Sequence, residues 1–231
     1  MDINADFDQR IIVHSEQLPW VDSPMPGVQR RMLDRIGDEV ARATSIVRYA
    51  PGSHFSSHVH TGGEEFIVLD GVFSDEHGDY PAGYYVRNPP QSKHTPGSKP
   101  GCVIFVKLWQ FDPDDRTPVL SCMTKLGSVE DRSRPGVSVS TLFEDHREKV
   151  RMELWEAGVT VSIDTAGGAE IFVLEGELRE GDDTLVKHSW MRVPVGGSFA
   201  ACAGPDGARV WIKTGGVRFT EPPTAAKKPR P

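Results

Sequence analysis

Apolar positions along this chain alternate with polar ones or gather in short unbroken runs, and no segment sustains a period near 3.6 residues. Alternation marks a strand with one buried face, and a short apolar run marks a strand buried on both. Arg10–His14 is a strand of this kind. Val28–Leu33 and Ala41–Tyr49 form a pair, with the charged stretch Asp34–Glu39 reading as the turn of a hairpin. Glu64–Leu69 and Tyr84–Arg87 follow, and a further strand is expected to start at His94. Gly101–Phe111 is the most apolar strand and is expected to lie centrally in its sheet. Ser140–Val150 fits either a strand or a short helix. Leu18–Gly27 contains Pro19, Pro24, Pro26 and Gly27, which excludes regular helix there.

The pattern repeats. Gly62–Gly71 (Gly-Gly-Glu-Glu-Phe-Ile-Val-Leu-Asp-Gly) aligns with Gly167–Gly176 (Gly-Gly-Ala-Glu-Ile-Phe-Val-Leu-Glu-Gly) at an offset of 105 residues, and Tyr85–Pro89 aligns with Trp190–Pro194 at the same offset. Pro26-Gly27-Val28 finds Pro135-Gly136-Val137 at a slightly longer one. A repeat of this length implies two copies of one β-unit. The Asp-, Pro-, Ser- and Arg-rich stretch Asp112–Arg134 is the expected joint, giving units 1–118 and 119–220. Residues 221–231 hold too little apolar surface to fold and are expected to be a disordered tail.

Composition narrows the function classes. A formal net charge of −7 argues against nucleic acid or an anionic membrane as partner. No apolar run approaches membrane-spanning length, and the N-terminal Met-Asp-Ile-Asn-Ala-Asp has no signal-peptide character, so a cytoplasmic location is expected. Cys102, Cys122 and Cys202 are widely spaced and odd in number, which reads as reduced thiols rather than a disulfide framework. Cys102 and Cys202 lie in apolar contexts that favour burial; Cys122 lies near the joint and is the more exposed expectation.

The candidate chemistry lies between Gly52 and His94. Gly52, His58, His60, Glu64 and Gly71 fit G-x5-H-x-H-x3-E-x6-G, and Gly83, Pro89 and His94 follow in a second pattern. His58 and His60 are two apart, so one face of a strand carries both. Glu64 heads the next strand after a Thr-Gly-Gly turn and is expected on its hairpin partner, with His94 on a third strand. Three imidazoles and one carboxylate suit one divalent first-row ion per chain, such as Zn, Fe, Mn or Ni. In the second unit His58, His60, Glu64 and His94 become Ile163, Thr165, Ala169 and Phe199, so no metal is expected there. Glu65, next to the ligand Glu64, should point away from the ion and has its counterpart in Glu170. Tyr80, Tyr84 and Tyr85 read as core or rim residues, His54 and His77 as exposed ones, and no catalytic acid or base stands out.

These patterns resemble the two motifs of the cupin family, with Gln91 in the second where the family usually has Gly and Ser98 at its final Asn. The resemblance implies an all-β fold of two tandem cupin (jelly-roll) barrels, the second degenerate. Arg48–Gly52, His58–Glu76, Tyr80–Pro90 and Gly101–Leu108 are further similar to the cupin domain of ChrR-type anti-sigma factors. That resemblance implies a zinc-binding sensory domain that takes part in releasing a sigma factor under oxidative stress, with a small-molecule ligand or oxidant at the metal. The H-x3-C-x2-C helical segment with which relatives hold a sigma factor is not found in this sequence, which weakens that partner; a homodimer is compatible with the reading. Some similar cupins are instead non-haem iron dioxygenases acting on small diketones or aromatic ketones, and the residues alone leave that alternative open.

Overall fold

The computed structural model describes residues 1–38 and 40–221; the expected disordered tail lies, apart from Glu221, outside the described residues. Strands dominate, with two 3₁₀ turns at Ser15–Gln17 and Gly216–Arg218 as the helical elements among them. No helix among the described residues is long and apolar enough to cross a membrane.

Two sheets carry the two units, and their strand orders match. The first runs Asp2–Ile3, Val28–Gly37, Ala41–Tyr49, Cys102–Leu108, Glu64–Asp75, Tyr84–Asn88, Val119–Cys122. The second runs Val129–Glu130, Val137–Glu144, Lys149–Trp155, Ala200–Thr214, Ala169–Glu180, Ser189–Val193, Ile11–His14. Glu64–Asp75 and Ala169–Glu180 are both 12 residues long and start 105 residues apart, as the repeat predicts. Cys102–Leu108 is central, hydrogen-bonded to Ala41–Tyr49 on one side and Glu64–Asp75 on the other. The fold is all-β, two jelly-roll barrels in tandem.

Two strands do not respect the expected division at residue 118. Val119–Cys122 joins the first sheet by pairing with Tyr84–Asn88, and Ile11–His14 joins the second by pairing with Ser189–Val193. The exchange is symmetric: Val119 lies opposite Arg87, and Ile11 lies opposite Arg192. Each strand covers an edge that the other unit would expose. The joint is therefore partly strand, because edge pairing leaves no trace in local composition.

Three other expectations need correction. The first hairpin's strand continues to Gly37, and Asp34 is fully buried in it rather than placed in a turn. Ser140–Val150 is neither one strand nor a helix. It spans the strands Val137–Glu144 and Lys149–Trp155, whose turn is closed by backbone N–H groups of Arg147 and Glu148 donating to the Asp145 carboxylate (2.8 Å each). His94 ends the strand Ser92–His94 instead of starting one.

Side-chain alternation builds three cores. Phe66, Val68, Ile104 and Val106 point into the first barrel. Ile171, Val173, Val210 and Ile212 point into the second. The opposite faces of the same strands meet between the barrels, where Phe105 stacks on Phe172 (4.3 Å between centroids) and meets Trp211 edge-on (5.3 Å). Strands buried on both faces explain the unbroken apolar runs of both units.

Candidate metal centre

The turn residues of the motif fix the backbone first. Gly71 has φ +70°, and a Cβ there would sit 2.1 Å from the carbonyl oxygen of Gly101. Gln91, standing where the second motif usually has Gly, takes the same left-handed conformation (φ +74°). A non-glycine residue held there costs on the order of 1–2 kcal/mol. The position is held because the Gln91 N–H donates to the His60 carbonyl (2.9 Å), which ties the two motifs together.

His58–His60 and Ser92–His94 form a small antiparallel pair with His94 opposite His58. The expected hairpin between His58–His60 and Glu64–Asp75 is replaced by this separate two-stranded pairing, because the Thr61–Gly63 turn leads the chain into the first barrel's large sheet. The imidazoles of His58, His60 and His94 converge, with one nitrogen from each within 4.8 Å of the others. His60 Nε2 and His94 Nε2 are 2.8 Å apart. Glu64 Oε2 lies 3.4 Å from the former and 3.5 Å from the latter. Bonds of about 2.0–2.1 Å to one ion place neighbouring ligand atoms about 2.9–3.4 Å apart; the His60–Glu64 separation lies at the edge of that range and the other two about 0.1 Å outside it, while the group in which every donor lies within 4.8 Å of the others comprises the three imidazoles, with Glu64 beside two of them. His60, Glu64 and His94 are buried; His58 is half-buried.

The outer partners orient these donors, and the sequence reading missed them. His94 Nδ1–H donates to Asp75 Oδ2 (3.1 Å), which turns Nε2 toward the cluster. Burial works against a charged His94, but the Asp75 hydrogen bond and the nearby Glu64 outweigh it and raise its pKa. Among the described residues no carboxylate stands behind His60 in this way, and burial lowers its pKa. His58 Nδ1 faces the Ser56 carbonyl (2.9 Å), and Asn88 Nδ2 donates to Glu64 Oε2 (3.2 Å) across the strand pair. The available signal for Asp75 was the turn Asp75-Glu76-His77-Gly78, where its Oδ1 also accepts from the N–H groups of His77 (2.8 Å) and Gly78 (3.2 Å).

Asp75→Asn separates the two jobs. Asn can keep the turn through its oxygen but presents an N–H donor to His94 Nδ1, opposing the required tautomer. The expected result is a 10–100-fold loss of metal affinity, the usual size for an outer partner, with stoichiometry restored at excess metal. Competition against a chromogenic chelator measures it; unchanged affinity would remove Asp75 from the site.

The second barrel has filled the same position with side chains. Ile163, Ala169 and Phe199 are buried in one apolar cluster, and Thr165 donates its hydroxyl to the Gly197 carbonyl. Glu65 and Glu170 both point away from the barrel interiors into the space between the barrels, paired with Lys213 and Lys107 (2.7 Å each). His54 and His77 are exposed, while Tyr80 and Tyr85 are core residues and Tyr84 is half-buried. Cys102 is buried, and burial pushes its thiol up to about 11. Cys202 is half-buried rather than buried, because the strand Ala200–Thr214 turns its side chain toward the carbonyls of Gly158 (3.4 Å) and Ala203 (3.5 Å).

Residues 8–112 match the family model of the ChrR cupin-like domain. No curated protein matches the chain. Among solved structures, a Nostoc punctiforme protein provisionally described as a dioxygenase is similar over 96% of this chain and 88% of its own (TM-score 0.72, 14% identity). The bacterial pirin YhhW of Escherichia coli, solved with nickel(II), is similar over 90% of this chain and 99% of its own (TM-score 0.66, 11% identity). A cupin 2 conserved barrel protein of Leptotrichia buccalis matches over 88% and 95% (TM-score 0.60, 11% identity). At these identities the structures establish fold alone, while the matched segment carries the motif whose donors converge. Residues 8–112 thus carry a cupin-like domain, and the chain as a whole shares its fold with these structures.

Proposed function

We propose that this chain is a metal-binding cupin of the sensory or regulatory kind, holding one divalent ion through His58, His60, Glu64 and His94. The observation that carries the reading is the convergence of three imidazoles from two strands on one point, with the Glu64 carboxylate beside two of them. The ChrR cupin-like match of the first barrel supports the regulatory side. Zinc fits three nitrogens and one oxygen; Fe, Mn and Ni accept the same donors. A bound ion supplies a Lewis-acid centre for a small ligand or oxidant. Asp75 and Asn88 hold the donors in place, and Phe66, Phe73 and Val106 keep the inner wall apolar.

On this reading the ion responds, not a thiol. Reactive cysteines need an accessible thiolate. Cys102 fails that test, whereas Cys122, hydrogen-bonded to the Thr124 hydroxyl (3.2 Å), has a lowered pKa and is the thiol to eliminate. Replacing Cys102, Cys122 and Cys202 together should leave metal content and peroxide-triggered metal release unchanged. Elemental analysis before and after oxidant checks this, and loss of the response on Cys122→Ser alone would move the sensor to the thiol.

A second reading, a non-haem iron dioxygenase for a small diketone or aromatic ketone, draws support from a cleft of about 550 Å³ beside His94. Oxygen uptake by iron-loaded protein with a panel of diketones tests it, and uptake no greater than without substrate removes it.

A further inference from the structure

The cleft beside His94 has a charge pattern that the metal centre does not explain. Its volume, about 550 Å³, is that of a small-molecule site. His77, Lys93 and Arg116 stand along it and Arg87 lies deeper, while Pro118 and Leu120 give it an apolar wall. No carboxylate is among the described residues that line it, in a chain whose formal net charge is −7. Arg87 is committed elsewhere, to Asp115 and to Glu148 (3.1 Å), although its buried Nε has no hydrogen-bond partner. Lys93 and Arg116 form no ion pair among the described residues; Arg116 donates to the carbonyls of Pro113 (2.8 Å) and Asp115 (2.6 Å). Leu120 leaves 58% of its surface open beside them. Local positive charge on an acidic protein concentrates small anions, and an apolar wall selects those with a hydrophobic body.

We propose that this cleft binds a small organic carboxylate, its head met by Lys93 and Arg116 and its apolar body laid on Pro118 and Leu120 beside His94. The inference rests on the metal-site reading only in naming the class of ligand that reaches that site. Lys93 and Arg116 are exposed and make no side-chain ion pair among the described residues, so replacing them with glutamine leaves the fold intact.

The test is calorimetric titration of the full chain, as purified, with benzoate and with its neutral analogue benzamide, in wild type and in Lys93→Gln/Arg116→Gln. Metal content is measured on the same samples. Benzoate should bind at least tenfold more tightly than benzamide, and the double substitution should weaken benzoate about tenfold while leaving metal content unchanged, the size expected for two exposed charge contacts. Equal affinity for the two probes, benzoate binding indifferent to the double substitution, or no benzoate binding at millimolar concentration would each overturn the proposal. Metal-replete protein that ignores benzoate removes the carboxylate and spares the metal centre; metal-free protein that still binds benzoate through Lys93 and Arg116 supports the carboxylate and counts against the metal reading.

Discussion

Lys213→Met should destabilise the chain by about 3–5 kcal/mol, the usual cost of leaving a buried charge without its partner. Lys213 is 1% exposed and donates to Glu65 Oε2 (2.7 Å) while lying 3.0 Å from Glu148 Oε2. Glu65 belongs to the first barrel and Lys213 to the second, so the pair spans the interface. The pseudo-symmetric pair reverses the roles: Lys107 of the first barrel donates to Glu170 of the second (2.7 Å). Arg87 and Arg192 repeat the relation, with Glu148 (3.1 Å) and Asp34 (3.1 Å) as partners. Replacing both members of a pair by apolar residues removes the stranded charge, so Lys107→Met/Glu170→Met should cost less than either single change. Urea denaturation of the two singles and the double measures this, and additive costs would show that the pair does not act as a unit. Burial would raise the carboxyls of Glu65 and Glu170, but Lys213 with Arg87, and Lys107 with Arg42, outweigh it and hold both below the ordinary 4.5. Their contribution is therefore full above that value and is lost as the pH falls through the lowered values.

The same residues show where sequence reasoning succeeds and where it stops. Period-two patterning and the 105-residue repeat made both barrels legible, because strands buried on both faces must be apolar throughout. The two-residue spacing of His58 and His60, with the distal His94, picked out three imidazoles that the fold brings together, and Glu64 lies beside two of them. Strand alternation also put Glu65 opposite Glu64 in direction, and Glu65 does face away, into the interface. Asp34 misled, because a charged residue near a Gly reads as solvent-exposed while its partner Arg192 stands 158 residues away. The exchanged strands Ile11–His14 and Val119–Cys122 were hidden for a similar reason: their partners are set by sheet edges, not by neighbours in the chain. Asp75 was missed because its role exists only once the chain has folded it behind His94. The loss of donors from the second barrel was legible position by position, whereas the packing of Ile163, Ala169 and Phe199 into one core needed the fold.

The largest functional effect is expected from His60→Ala/His94→Ala. The Nε2 atoms of these two imidazoles are 2.8 Å apart, and removing both leaves His58 and Glu64, too few donors to retain an ion through purification. Neither change should unfold the barrel, since Phe66, Val68, Ile104 and Val106 make up its apolar core. Circular dichroism should show the same strand content in the variant as in wild type. The direct measurement is elemental analysis of wild type and of this double variant, both purified without added metal. About one divalent ion per wild-type chain and close to none in the variant is the expected result; equal metal content in the two proteins would contradict the four-donor site.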